Sequence, residues 1–174
     1  MRKTISVLIT TAALALSSTI AAFAENPLPK STDKLVKYGE VEGWTIYDNE
    51  TRGHCLIVSN DENGAVQMGV TEDSVAVGYL GVFTHHDIGL KDGTKSKIFV
   101  SIDGNIYSGV STSVSSHLKD GYSGGYILTD NPEFKRDIAK KYKMIVFPET
   151  AGAFVVDLKG TYKAMAMARE CFLK

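Results

Sequence analysis

Hydrophobic and polar residues alternate with a period of two along most of the chain, as strands with one buried face do. Trp44 and Ile46, closing on Tyr47-Asp48, predict a first strand, and Cys55-Leu56-Ile57-Val58 predict a second beyond the turn residues Asn49 to Gly53. Asp61-Glu62-Asn63-Gly64 is a hairpin signal that leads into a strand over Ala65 to Thr71. Ser74 to Phe83 is apolar and partly β-branched, and its interruption by Gly78 and Gly81 predicts a bent or bulged strand. Lys97 to Ile102 alternates cleanly, and Asp103-Gly104-Asn105 turns the chain into Ile106 to Val110. Gly121 to Leu128 carries a weaker strand pattern.

The period then lengthens. Asp130 or Asn131 offers a helix cap, Pro132 suits the first turn, and Phe134, Ile138 and Tyr142 recur at four-residue spacing. Met144 to Phe147 and Ala153 to Leu158 predict two more strands around a turn at 148–152. Thr161 to Phe172, rich in Ala and Met, predicts a second helix with Cys171 on its last turn. The expected architecture is α+β and mainly β. It is an antiparallel twisted sheet or sandwich of about 7–9 strands, with two helices in the C-terminal region and one disulfide.

The N-terminal segment follows a different rule. Arg2 and Lys3 precede an uncharged, largely apolar run from Ile5 to Leu16, and small residues lead to Ala22-Phe23-Ala24. This pattern predicts a secretory signal peptide over residues 1–24, cleaved near Ala24/Glu25. A membrane anchor would need about 20 apolar residues, and the run is shorter. No cysteine near the cleavage site offers a lipid attachment point. The basic start and compact apolar core suit bacterial export, so the expected location is periplasmic or secreted. Residues 25–38, mostly polar with Pro27 and Pro29, read as a leader, and 39–174 as a single globular β-rich domain.

Composition narrows the partners. With 44% hydrophobic and 22% charged residues, the chain is neither collagenous, coiled-coil nor disordered. Its 19 basic residues face 20 acidic ones. Loss of Arg2 and Lys3 tips the mature balance further toward acid. Without a basic stripe, no nucleic-acid partner is expected. Lys140, Lys141 and Lys143 cluster where the predicted helix ends, a place that suits cations. No other segment has the length and apolarity of a transmembrane span. No phosphate loop, zinc spacing or dinucleotide fingerprint is present, so no cofactor is expected.

Cys55 and Cys171 are the two cysteines. In an oxidising compartment they most simply form one disulfide, which in the chain-entropy account stabilises by about 4–5 kcal/mol. Two free thiols or an intermolecular bridge are the alternatives. Neither belongs to a C-x-x-C pair, so sulfur-based redox or metal chemistry has no sequence support.

The stretch from Phe134 to Cys171 is the most distinctive. It contains Phe154-Val155-Val156-Asp157-Leu158-Lys159-Gly160-Thr161, then Ala164, Ala168 and Cys171, and Trp44 and Cys55 precede it. This pattern resembles a group of exported proteobacterial proteins whose last strand, ending Leu-x-Gly-Ser/Thr, leads into an Ala-rich helix closed by Cys. It is more remotely similar to the invasion-associated locus B proteins, although those carry several cysteines. The resemblance implies a fold and is nearly silent on chemistry. At the junction, Gly160 would let the chain turn sharply, Thr161 would cap the helix, and Ala164 and Ala168 would let it lie close to the sheet.

Two constellations invite a catalytic reading. Gly121-Tyr122-Ser123-Gly124-Gly125 fits G-x-S-x-G and differs at one position from GDSGG, while His54, Asp103 and Ser123 follow a triad order. Context argues against it, because no helix directly follows Ser123 and the His-to-Ser separation is too short for two barrels. Ser123 with His54 is therefore the alternative, and no catalytic residue is assigned. His85-His86-Asp87 is the weak metal candidate, with His117 as a further imidazole. Adjacent histidines on a strand face opposite ways, so a shared ion requires a turn there. The expectation is a non-catalytic exported domain that binds a protein or envelope ligand, as the resemblance to the invasion-associated group also implies. A small serine hydrolase and a protease-inhibitor-like envelope protein are the alternatives.

Overall fold

The computed structural model describes residues 26–71, 74–90, 95–112 and 121–174. The strands are β1 (Leu35–Val41), β2 (Trp44–Asn49), β3 (His54–Asn60), β4 (Gly64–Thr71) and β5 (Ser74–Thr84). β6 (Lys97–Ile102), β7 (Asn105–Thr112) and β8 (Ser123–Thr129) follow. Then come α1 (Pro132–Lys140), β9 (Lys143–Val146), β10 (Phe154–Asp157) and α2 (Thr161–Phe172). All strand pairs are antiparallel, in one sheet ordered β1-β2-β3-β4-β5-β8-β7-β6-β9-β10. The mainly-β architecture with two late helices and one disulfide is therefore as the sequence predicts.

Turn chemistry explains the hairpins. Asp103 and Gly104 both have positive φ, 47° and 91°, and join Ile102 to its partner Asn105 in a two-residue turn. Glu42 and Gly43, at 48° and 86°, do the same between Val41 and Trp44. Two left-handed residues match the right-handed twist of the flanking strands. At 61–64 the Asp61 side chain accepts from the backbone N–H groups of Asn63 and Gly64, at 2.8 and 3.0 Å.

The sheet curls until its ends approach. The Trp44 indole Nε1 on β2 donates to the Lys159 carbonyl just beyond β10, at 2.9 Å. The Phe154 ring occupies the space where a Gly64 side chain would stand. Inside the curl lies one core, with Ile57, Met68, Leu80 and Ile127 in direct register across β3, β4, β5 and β8. Phe134 and Ile138 of α1 and Ala164 of α2 close it.

Four sequence expectations need correction. The described residues form ten strands, because β1 begins inside the stretch read as a polar leader. That stretch is also held in place. Leu28 packs on the outer face with Ala65, Tyr79, Phe83 and Tyr122, and buried Asp33 pairs with Arg52 at 2.6 Å and accepts from Asn49 at 3.0 Å. α1 ends at Lys140, so Tyr142 is exposed rather than on its apolar face. Finally, Thr161 does not cap α2. Gly160, at φ 85°, takes the cap position, and the buried Thr161 hydroxyl lies 2.6 and 2.8 Å from the carbonyls of Ile138 and Leu158.

The remaining details follow the sequence. Asn131 caps α1 by accepting from the Glu133 N–H at 2.8 Å, with Pro132 in the first turn. Lys140 lies in the last turn of α1, Lys141 follows it and pairs with Asp103, and Lys143 opens β9. Cys55 and Cys171 form the disulfide, with Cα atoms 6.2 Å apart. Among the described residues, no helix is long and apolar enough to cross a membrane.

Candidate functional site

The serine and the histidine singled out by sequence are far apart. Ser123 opens β8 opposite Thr84, which in turn pairs with Gly64, so the serine lies level with the β3–β4 turn. His54 is buried at the other end of β3, opposite Asn49. Roughly seven residues along a strand separate those levels, about 23 Å, and three strand spacings add about 14 Å across the sheet. The sheet does not bring Ser123 and His54 together.

The glycines around Ser123 have backbone reasons to be there. Gly121 has φ 94° in the turn before β8. A Cβ at Gly124 would lie 2.0 Å from the Val82 carbonyl oxygen, because β5 and β8 approach closely there. The serine motif is thus accounted for by a turn and a tight strand pair.

His85 and His86 occupy an exposed bend after β5. The His85 ring stacks on Tyr122 with centroids 3.6 Å apart, whereas the Cβ of His86 packs toward Gly152. His117 lies outside the described residues. Among the described residues, the group of potential metal ligands that lies close together is Asp48, Cys55 and Cys171, and there both sulfurs are bonded to each other. A disulfide offers no thiolate to a metal.

What the sequence reading did not anticipate is a cavity of about 440 Å³ between the two helices and the sheet. Ile57, Met68 and Leu80 form part of its floor, Phe134 and Ile138 of α1 one wall, and Met165, Ala168 and Phe172 of α2 another. Cys55 lines it too, so the disulfide anchors α2 where it forms the wall. At the end of the floor, Val70 and Thr129 pair with Gly78 from either side. Gly78 brings no side chain into that row, and this leaves room for the cavity. A Cβ there would meet its neighbours at 3.4 Å or more, so the position accepts a Cβ at ordinary contact distance.

Polar groups near the cavity are few. The Thr129 hydroxyl accepts from the Asn131 N–H at 3.0 Å. The Tyr79 hydroxyl lies over Gly69 on the opposite sheet face, where burial raises its pKa. Lys135 and Arg169 supply the charged lining residues. Ser123 stands at the far end of β8, six residues or about 20 Å from Thr129. The candidate nucleophile and the cavity therefore occupy opposite ends of the sheet.

Buried carboxylates have structural partners. Asp137 of α1 accepts from Asn105 at 2.9 Å and Tyr107 at 2.8 Å. Those two donors hold its pKa below the usual carboxylate value, and burial opposes them only in part. Tyr107 is pushed up to about 12, by burial first and then by its bond to Asp137. For Asp33, burial raises the pKa, but bonds from Asn49 and the Lys30 N–H, with the charge of Arg52, outweigh it and leave a lowered value. These groups tie α1 to β7 and the N-terminal segment to β2, well away from any open chemistry.

Comparisons with protein-family models, curated proteins and solved structures find no match to this chain. The site has to be interpreted from its own geometry.

Proposed function

We propose that this chain is an exported, periplasmic or secreted, non-catalytic binding domain, and that it holds its ligand in the cavity between α1, α2 and the sheet. The observation that carries the reading is the cavity itself. At about 440 Å³, with apolar walls and few polar groups, it falls in the range of small-molecule sites. Export is supported by the N-terminal pattern of residues 1–24, and the disulfide is compatible with an oxidising compartment. An envelope-interaction role of the invasion-associated type would use the same location, with the cavity as its ligand-holding part.

The test is binding of a neutral naphthylamine dye whose fluorescence rises in apolar surroundings. The wild-type protein should bind it saturably, and Gly78→Leu, which fills the cavity from its floor, should lose binding while keeping its melting temperature. Fluorophosphonate treatment tests the hydrolase alternative. Stoichiometric labelling of Ser123, abolished by replacing a histidine, would replace the binding reading with an enzymatic one.

A further inference from the structure

We infer that the cavity takes a long-chain carboxylate, a free fatty acid, with its alkyl tail among the core side chains and its carboxylate between Lys135 and Arg169. This deepens the binding reading above and depends on it. Three observations lead to this chemistry.

The first is the wall. Ile57, Met68, Leu80, Ile138, Met165 and Phe172 present hydrocarbon, thioether and ring surface. The Thr129 hydroxyl is already engaged by the Asn131 N–H. A ligand with polar groups along its length, such as a sugar or a nucleotide, would bury them without partners. An unbranched alkyl chain would not. Met165 and Met68 also adapt readily to chains of different length.

The second is the charge at the rim. The chain as a whole is slightly acidic, yet no Asp or Glu lines the cavity among the described residues, whereas Lys135 and Arg169 both do. The Lys135 stem passes over Gly78, with Cε 3.9 Å from the position a Cβ would take there, and its head reaches the Ala76 carbonyl. That bond occupies one of three ammonium protons, and among the described residues no other partner takes the remaining two. Arg169 is exposed on α2, and none of the described residues gives it a carboxylate partner. Its planar fork suits a carboxylate's two oxygens.

The third is placement. Lys135 comes from α1 and Arg169 from α2, the two helices that form the walls, so the cations flank the space between them. Long cationic side chains lay their stems on apolar surface and keep their heads in water. An amphiphile held tail-inward would meet both heads.

The experiment is displacement of the same neutral dye by laurate, by dodecanol and by dodecylamine, which share a tail and differ in head. Laurate should displace best, and each methylene added from octanoate upward should tighten binding about fourfold until the cavity is full. Changing Lys135→Gln together with Arg169→Gln should weaken laurate at least about tenfold and leave dodecanol unchanged. Equal displacement by laurate and dodecanol, or a laurate affinity untouched by the double variant, would overturn the carboxylate assignment while leaving the cavity reading in place. Dye that fails to bind wild-type protein, or binds Gly78→Leu equally well, would overturn both.

Discussion

The Trp44 indole donates to the Lys159 carbonyl across 115 residues, at 2.9 Å, and so fixes the start of α2 against β2. Trp44 is the only tryptophan and is almost fully buried. Trp44→Phe keeps a ring in place but leaves that part-buried carbonyl without its donor, which should cost about 0.5–1.5 kcal/mol beyond the lost packing. The urea midpoint followed by circular dichroism measures it. An unchanged midpoint would mean that the bond adds nothing.

Gly160 precedes α2 at φ 85°, and a Cβ there would stand 2.6 Å from the Cβ of Glu42. Gly160→Val should therefore destabilise by about 1–3 kcal/mol or more. Ser123→Ala, at a half-buried strand end, should stay within about 0.5–1 kcal/mol of wild type. Equal melting temperatures for the two variants would contradict the strained junction.

Intact mass should fall two hydrogens below the reduced value, with no thiol labelling before reduction, because Cys55 and Cys171 are bonded. Reduction should lower stability by about 2–5 kcal/mol and weaken dye binding, since Cys171 anchors one cavity wall. Dye affinity that survives reduction at a temperature where the fold persists would show that the wall holds without its bridge.

Acid should weaken the fold through Asp33 and Asp137. Both carboxyls titrate below the ordinary 3.8 in the folded chain. The unfolded chain therefore binds their protons more tightly. Their stabilisation is fully present above about pH 4 and is lost as pH falls through the folded values. Asp33→Asn and Asp137→Asn should each flatten the acid limb of the stability profile. A wild-type slope retained in both variants would assign acid lability elsewhere.

Arg52→Met strands the Asp33 carboxylate in a buried site, since the ion-paired side chains are only 4% and 3% exposed. The expected loss is about 3–5 kcal/mol. Protease nicking near residues 26–34 should rise with it if this pair holds the N-terminal segment down. Unchanged nicking would assign that task to the other contacts of the segment, such as Leu28 packing and the bond from the Lys34 N–H to Thr51.

Period-two alternation and short apolar runs marked about 7–9 strands, and the late helices were legible from Pro132 and from the Ala-Met run at 161–172. β1 escaped because it is an edge strand with exposed Val36 and Tyr38, so its apolar contrast is faint. Glu42-Gly43 before Trp44 was the available signal, weaker than Asp-Gly or Asn-Gly. Gly78 suggested a bulge, and β5 carries one beside it: Val70 and Thr71 are adjacent on β4, while their partners Gly78 and Ser74 are four residues apart on β5. The role of Gly78 depends on what three strands and a helix place around it, which local pattern does not encode. For the same reason the cavity was invisible: it is formed where α1 and α2 face β3–β5, and no contiguous motif records that meeting. Ser123 shows the converse, a motif that is visible in sequence and whose glycines serve the backbone.

α2 is clasped at both ends to strands made long before it, by Trp44–Lys159 at one end and Cys55–Cys171 at the other, across 115 and 116 residues. In the reduced chain such joints form only once most of the residues between them are ordered. They govern time as well as strength. The strands from β1 to β5 pair with sequence neighbours, whereas in the reduced chain the cavity's α2 wall depends on contacts more than a hundred residues away, so the bridge keeps that wall near its floor even when the chain is loosened.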